Sequence, residues 1–305
     1  MKASSTSRTA TTTAERAGSK LGDLAALVKF RLSATVVLSS VLAYLVALNG
    51  GGVSWWAVGV LTAGGFLTTA AANILNEILE KDYDRQMERT RRRPLAEGRM
   101  SVSDALLMAG FASLAGIALL ALFNPWTAIL GMLSLMSYAF VYTPLKRVGP
   151  VAVVVGAVPG ALPALIGSAA AEGAITGLGM TLFTLQFFWQ LPHFYAIGYL
   201  GAADYRKAGF RLVPERDGEV DSRQLGRDAV LASAVLVPLS VLPYLLGVTD
   251  LWATVAVVAC GLAFCYYAIN FYRRPERSTA LRMMFFSFAY LPVIFTAYWA
   301  GKFFM

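Results

Sequence analysis

Three oxygen-bearing side chains, Asn76, Glu80 and Asp84, follow one another at intervals of four residues. On a helix they would fall within an arc of about 80° and span a rise of roughly 12 Å, so they would line one face. Hard oxygen ligands of this kind suit Mg²⁺, which keeps several waters and usually bridges one or two carboxylates to a substrate phosphate. The spacing therefore predicts a magnesium site on one helix face.

A cluster of arginines, Arg89, Arg91, Arg92 and Arg93, comes directly after this face. Guanidinium groups bind phosphate oxygens through paired hydrogen bonds, so acids followed by arginines indicate a site for a diphosphate. The alternative is a solvated helix end on which acids and bases pair along the surface, without any ligand. A second segment with similar features favours the functional interpretation.

That second segment lies far along the chain and carries Asp204, Arg206 and Lys207. Four predicted membrane spans separate it from Asp84, and an even number of crossings returns the chain to the same side. We therefore expect the two acidic segments to converge on one cavity. An ancestral duplication of a four-helix unit would explain the similarity.

The composition indicates an all-α integral membrane protein. Of the 305 residues, 57% are hydrophobic and 14% are charged, which is typical of a chain whose core faces lipid. Backbone polar groups must be paired inside a bilayer, so the apolar runs are predicted to be helices. Nine spans are predicted, at residues 32–48, 55–79, 103–123, 126–143, 150–170, 174–200, 229–247, 251–271 and 281–300.

The positions of the cations predict the orientation of these spans. With a cytoplasmic N-terminus and the C-terminus on the opposite side, all of the 26 Lys and Arg residues except Lys302 fall on the cytoplasmic side. The net charge of +8 is then an orientation signal, and binding to nucleic acid is not expected. Residues 1–20 are predicted to be a disordered cytoplasmic tail, and residues 21–305 a single domain.

Several further side chains are candidates for contacting a substrate. Departure of a diphosphate requires cationic partners in a site of low dielectric, and an allylic cation requires an apolar pocket with aromatic faces. The single histidine, His193, lies at membrane depth, where an ionisable group is usually functional. The alternative is a hydrogen-bonded packing residue. Gln190, three residues earlier, could share its face. The predicted substrate-binding residues are Arg89, Arg93, Tyr142, Lys146, Arg147, Gln190, His193, Arg206 and Lys207.

Several motifs carry a resemblance to a known family. The run NEILEKDYDRQMERTRRRPLAEGR, beginning at Asn76, resembles the first signature of the UbiA-type intramembrane prenyltransferases. The segments YTPLKR at 142–147, WQLPHFYAIGY at 189–199 and DYRKAGFRLVP at 204–214 are similar to the branch of this family that prenylates haem. The resemblance covers roughly residues 24–300, with the motifs in the same order.

The resemblance implies a fold of nine helices around a central cavity open to the cytoplasmic side. It also implies transfer of a farnesyl group from farnesyl diphosphate to a vinyl group of haem b, with addition of water, in the inner membrane of a bacterial cell. By position, Asn76, Glu80, Asp84 and Asp204 would be the catalytic and Mg²⁺-binding residues, and haem offers His193 an iron to coordinate. A haem A synthase or a terminal-oxidase assembly protein would be a possible partner. Ala203 departs from the family pattern, which has a second acid there.

Two other functions remain open from the sequence. An aromatic acceptor, as in quinone or chlorophyll synthesis, would need the same diphosphate site; the WQLPHF and DYRKAG segments argue against it. A transporter of a phosphorylated lipid would also need acidic and basic loops around a cavity. Its acids would be expected at the midplane of the membrane, whereas here they lie at the cytoplasmic ends of spans.

Overall fold

The computed structural model describes residues 20–49 and 52–305. Residues 1–19 of the predicted tail lie outside the described residues, whereas Lys20 begins a helix. The helices are α1 (Lys20–Leu27), α2 (Phe30–Ala47), α3 (Trp55–Asp84), α4 (Pro94–Glu97), α5 (Val102–Ala121), α6 (Pro125–Met136), α7 (Thr143–Leu145), α8 (Val151–Glu172), α9 (Gly177–Lys207), α10 (Ser222–Leu239), α11 (Leu242–Leu245), α12 (Leu251–Arg273) and α13 (Arg277–Gly301). A π-helix, Ser137–Tyr142, joins α6 to α7, and a short 3₁₀ turn, Lys302–Phe304, follows α13.

The membrane fold class is confirmed. Eight helical segments of the described chain are long and apolar enough to cross a membrane: Phe30–Ala47, Trp55–Asp84, Val102–Ala121, Pro125–Leu145, Val151–Glu172, Ser222–Leu245, Leu251–Arg273 and Arg277–Phe304. The sixth predicted span corresponds to α9, which is 31 residues long but is not among these eight. Because α9 carries Gln186, Gln190 and His193 on buried positions, its hydropathy is low, and the predicted count of nine spans is not confirmed.

Local sequence explains where the helices begin and turn. The Ser54 hydroxyl caps α3 by accepting a hydrogen bond from the Ala57 N–H. The π-helix ends at Tyr142, two residues before Pro144, which has no N–H to donate to an α-helical acceptor. There the Thr143 N–H bonds instead to the Tyr138 carbonyl five residues back. The irregular turn lies beside the acidic face of α3 and directs Tyr138, Tyr142 and Thr143 towards it.

The centre of the bundle is built around α8, which packs against α2 on one side and α9 on the other. Its buried positions are mostly Ala, Gly and Pro, so neighbouring backbones can approach closely. At Gly167 an added Cβ would lie 1.9 Å from the carbonyl oxygen of Ser40 in α2. On the other half of the molecule, α10, α12 and α13 pack around buried aromatic rings, including Phe264, Tyr290 and Tyr298.

A small β-hairpin connects α9 to α10. Strand β1 (Glu215–Arg216) pairs antiparallel with β2 (Glu219–Val220). The turn uses Asp217 and Gly218 at φ 54° and 82°, as the two central residues of a tight hairpin turn require. This hairpin lies at the same end of the molecule as the acidic end of α3, because it follows the end of α9 at which Asp204 contacts the loop after α3.

Candidate active site

The acidic end of α3 is a row of buried polar side chains. Asn76, Glu80 and Asp84 are 1%, 3% and 1% exposed and lie on the buried side of one continuous helix. A fourth side chain, Glu77, is also only 1% exposed. The helix therefore does not become a solvated face at its end, which argues against the interpretation of these acids as ordinary surface charges.

Three cationic side chains from other elements reach this acidic row. The Lys146 Nζ lies 2.9 Å from the Glu80 Oε1 and donates to its Oε2 at 3.2 Å. The Arg93 Nη1 donates to the Asp84 Oδ2 at 2.7 Å, and its Nε lies 3.5 Å from the Glu77 Oε1. These contacts bring the acids of α3 together with the loop before α4 and the turn after α7.

The third cationic side chain is Lys29, in the turn between α1 and α2. Its Nζ donates to the Asn76 Oδ1 at 2.6 Å, and the Asn76 amide in turn donates to the Thr143 hydroxyl at 3.1 Å. Lys29 has the left-handed backbone conformation, at φ 47°, which is uncommon for a residue other than glycine. In this backbone conformation the Lys29 side chain extends towards the acidic row.

Burial and charge act on these cations in opposite directions. Burial, followed by repulsion from Arg93, lowers the pKa of Lys29 to about 7. Burial alone would also lower the pKa of Arg93 and of Lys146. The negative charges of the nearby Asp84 and Glu77 outweigh burial and raise the pKa of Arg93. The negative charge of Glu80 likewise outweighs burial and raises the pKa of Lys146. Arg93 and Lys146 are therefore held in their charged forms.

The second predicted segment converges on the first. The Asp204 Oδ1 accepts a hydrogen bond from the Glu88 N–H at 3.1 Å, and its Oδ2 accepts one from the Arg89 N–H at 3.4 Å. The Arg89 Nη2 donates to the hydroxyl of Tyr205 at 3.3 Å. The end of α9 thus contacts the arginine-bearing loop that follows Asp84, so the two distant segments meet at one end of the molecule. Ala203, where a second acid was expected, is exposed.

Other predicted residues are placed differently. Arg206 is half exposed and pairs with Glu215 of the hairpin at 3.1 Å, Lys207 is exposed, and the Arg147 guanidinium lies 4.3 Å from the ring centre of Tyr83. None of these three contacts the acidic row. Tyr142 does border it, because its ring centre lies 4.8 Å from the Lys146 Nζ.

Gln190 and His193, three residues apart on α9, contact different helices. The Gln190 Nε2 donates to two carbonyl oxygens, those of Ala157 in α8 and Gln186, each at 3.1 Å. The His193 Nδ1 lies 2.7 Å from the Ser287 Oγ in α13. Because the Ser287 hydroxyl donates to a backbone carbonyl of its own helix, it accepts from the Nδ1–H of His193. The Nε2 then carries a lone pair.

The donor set of the acidic row fits Mg²⁺ in combination with a phosphate ligand. Both carboxylate oxygens of Glu77 and the Asp84 Oδ1 are buried and accept no hydrogen bond in the described part of the chain. Such oxygens suit a hard divalent cation. Within residues 20–49 and 52–305, however, no three Asp, Glu, His or Cys side chains converge as a complete metal centre. Further ligands, such as phosphate oxygens and water, would be required.

The sequence analysis missed two members of this site. Glu77 lies beside Asn76 in the sequence but outside the four-residue spacing, so only its burial against Arg93 identifies it. Lys29 is 47 residues from Asn76 and belongs to a different helix pair. No local pattern around Lys29 indicates that its side chain reaches the acidic row.

Comparison with known protein families shows to which family this chain belongs. The UbiA prenyltransferase family model matches residues 36–290. The chain belongs to the UbiA prenyltransferase family. It is 39% identical to the protoheme IX farnesyltransferase of Cytophaga hutchinsonii over 277 residues, which cover 90% of this chain and 96% of the relative. It is also 39% identical to that of Myxococcus xanthus over 280 residues, covering 90% and 92% of the two chains.

Solved structures share the fold of this chain at low sequence identity. A structure of digeranylgeranylglyceryl phosphate synthase superposes with a TM-score of 0.77 at 18% identity and covers 93% of this chain and 99% of that one. A UbiA homologue from Archaeoglobus fulgidus bound to GPP and Mg²⁺ superposes with a TM-score of 0.66 at 16% identity, covering 90% and 99%. The predicted membership of the UbiA family is confirmed, and the chain is an integral membrane prenyltransferase.

Proposed function

We propose that this prenyltransferase transfers a farnesyl group from farnesyl diphosphate to a vinyl group of haem b and so forms haem O. The observation that carries the proposal is the buried acidic row with its cationic partners. Asp204 contacts the arginine-bearing loop that follows this row. Its support from the comparisons is the identity of 39% with protoheme IX farnesyltransferases over nine-tenths of the chain. The fold similarity to a UbiA homologue bound to GPP and Mg²⁺ supports a prenyl diphosphate as the donor.

In this reaction the bond between C1 of the farnesyl group and the diphosphate oxygen breaks, and the oxygen keeps the electron pair. A vinyl carbon of haem b forms the new bond to C1, and water adds to the neighbouring carbon with loss of a proton. Asn76, Glu80 and Asp84, joined by Glu77, would hold Mg²⁺, which neutralises charge on the departing diphosphate. Lys146 and Arg93 lie beside these acids and supply further positive charge.

Other residues of the site would orient and protect the reacting groups. Asp204 accepts hydrogen bonds from the backbone of the loop at Glu88 and Arg89, and it would thereby orient the Arg89 side chain towards the diphosphate. The ring of Tyr142, whose centre lies 4.8 Å from the Lys146 Nζ, would offer an aromatic face to the allylic cation, which must be kept from water. On α9, the Nε2 of His193 would coordinate the haem iron.

The same proposal covers location and partners. The protein would lie in the inner membrane of a bacterium with the acidic row on the cytoplasmic side, its N-terminus on that side and its C-terminus on the other. Haem O would then pass to a haem A synthase or to a terminal-oxidase assembly protein. The orientation is proposed from the distribution of Lys and Arg residues, and the partners are proposed from the chemical nature of the product.

The test uses the purified full chain in detergent with farnesyl diphosphate, haem b and Mg²⁺. Liquid chromatography with mass spectrometry should find haem carrying one farnesyl group and one added water. Parallel reactions would replace haem with 4-hydroxybenzoate, or omit Mg²⁺. Prenylation of the aromatic acid and not of haem would refute the choice of acceptor, and undiminished product with EDTA would refute the requirement for Mg²⁺.

A further inference from the structure

A hydrogen bond to α13 holds the imidazole of His193 on α9. The His193 Nδ1 lies 2.7 Å from the Ser287 Oγ, and the two residues are 8% and 0% exposed. The Ser287 hydroxyl gives its one proton to the Met284 carbonyl of its own helix, so its oxygen accepts from the Nδ1–H of His193. This chain of two hydrogen bonds keeps the imidazole proton on Nδ1.

A second hydrogen bond from α9 reaches the same residue of α13. The Trp189 Nε1 donates to the Ser287 carbonyl oxygen at 2.8 Å. Trp189 and His193 are four residues apart and therefore lie one turn after the other on one face of α9. One residue of α13 thus accepts both bonds, one at its backbone and one at its side chain. The indole bond holds the Ser287 hydroxyl in place beside the imidazole.

Aromatic rings border the imidazole on its other sides. The Trp189 ring stacks on it, with 5.4 Å between ring centres and 14° between ring planes. Phe288 and Phe194 meet it edge to face, with ring centres at 5.0 Å and 5.4 Å. Within residues 20–49 and 52–305, Ser287 is the hydrogen-bond partner of the imidazole, through Nδ1. These rings restrict its rotation and leave Nε2 for a ligand.

The acceptor at one imidazole nitrogen determines what the other nitrogen can do. A neutral imidazole has one N–H and one lone pair, and the hydrogen bond made by the N–H decides which nitrogen keeps the lone pair. Histidines that bind a metal usually donate their other N–H to an oxygen, which orients the ring and makes the ligating nitrogen more basic. A histidine that only joins two helices would make the same bond, so a measurement on the iron must separate the two roles.

We propose that Ser287 is a positioning residue for haem, which accepts the Nδ1–H of His193 and so directs the Nε2 lone pair at the iron. Trp189 supports it by holding the Ser287 backbone. This inference rests on the proposed function, in which His193 coordinates the iron of the haem substrate. It adds that α9 and α13 together form the iron-binding element, although Ser287 itself need not touch haem.

The test measures haem b binding to the purified full chain by Soret absorption. The chains compared are the wild type, Ser287→Ala, His193→Ala and the double variant. Ser287→Ala should weaken haem affinity at least about tenfold, the lower end of the effect of removing such a partner. In the His193→Ala background the same substitution should change affinity by less than about twofold, because Ser287 acts through the imidazole.

Resonance Raman spectroscopy of ferrous haem on the chain reports on the hydrogen bond itself. Without an acceptor at Nδ1, the Nε2 is a weaker donor to iron, so the Fe–His stretching frequency should fall in Ser287→Ala. A serine that only packs two helices would leave this frequency unchanged.

Ser233→Ala on α10 is the matched control. Ser233 is also fully buried, and its hydroxyl likewise donates to the carbonyl three residues earlier, that of Val230 at 3.0 Å. The control therefore removes the same group from the same local environment on another helix. It should change neither haem affinity nor the Fe–His frequency.

The outcomes separate this inference from the proposed function. An unchanged affinity or Fe–His frequency in Ser287→Ala, or equal effects of Ser233→Ala, would overturn the role of Ser287 and leave His193 as the ligand. Equal losses on Ser287→Ala with and without His193 would overturn it too. Failure of the wild type to bind haem b would refute the proposed acceptor. Should Ser287→Ala not fold, Ser287→Cys makes the same comparisons, because a thiol is a weak acceptor.

Discussion

Asp84→Asn is the substitution that tests the site most directly. It keeps the shape of the side chain and removes one negative charge from a residue that is 1% exposed. The Asp84 Oδ2 is the acceptor of the Arg93 Nη1 at 2.7 Å, and the Oδ1 accepts no hydrogen bond among the described residues. The change therefore removes one proposed metal ligand and one buried ion pair at the same time.

The two losses have different sizes. Removing one partner of a fully buried ion pair costs about 3–5 kcal/mol. Arg93 retains Glu77 at 3.5 Å and its side chain is 19% exposed, so we expect a lower cost in unfolding free energy, about 2–3 kcal/mol. Loss of one electrostatic stabiliser of the leaving group should reduce the rate about 10²–10³-fold. Activity should thus fall far more than stability alone explains.

The assay extracts haem from membranes of cells that express either form and separates it by chromatography, while thermal unfolding is followed on purified protein. Asp82→Asn is the matched control, because Asp82 lies two residues earlier in α3, has a side chain 74% exposed, and pairs with exposed Arg85 at 3.2 Å. It should change neither haem O nor stability appreciably. Wild-type haem O from Asp84→Asn, or equal losses in both variants, would refute the assignment of this face.

Four further outcomes are expected. Gly167→Ala should destabilise the protein by about 1–3 kcal/mol, because the new methyl group would meet a backbone carbonyl of α2 at 1.9 Å. Gly110→Ala on α5 meets no atom within 4 Å and should not destabilise; equal shifts in thermal unfolding would contradict the close contact. Asp204→Ala should raise the KM for farnesyl diphosphate more than it lowers kcat, with partial recovery in Asp204→Asn, and an unchanged KM would count against the positioning role. His193→Ala should reduce haem binding, measured by the Soret absorption, but not Mn²⁺–pyrophosphate binding; loss of both would show that the two regions are not separate. Burial lowers the pKa of Lys29 from 10.5 to about 7 in the folded protein. Between pH 7 and pH 10 the lysine therefore binds a proton in the unfolded chain but not in the folded one, so the free energy of unfolding should rise over this pH range. The same rise in Lys29→Met would exclude this lysine as its source.

Much of the candidate site was predictable because its determinants are local. The interval of four residues between Asn76, Glu80 and Asp84 fixes a common helix face whatever the rest of the chain does. The predicted convergence of Asp204 on the first segment depends only on the number of intervening spans, and the contacts of Asp204 with Glu88 and Arg89 agree with it. Hydropathy alone predicted the all-α membrane fold, which is confirmed, whereas the count of nine spans is not, because α9 buries Gln186, Gln190 and His193 and is not among the eight most apolar long helices.

The sequence by itself determined the fold class, the family and the acids of the first helix face, because hydropathy and helical periodicity act over a few residues at a time. Only the tertiary structure decided which cations meet those acids. Lys146 and Arg93 pair with them, whereas Arg147, Arg206 and Lys207 do not. Lys29 reaches Asn76 across 47 residues of chain. Charge partners of this kind are set by how helices pack, and many arginines and lysines near one end of a bundle are equivalent until that packing is known.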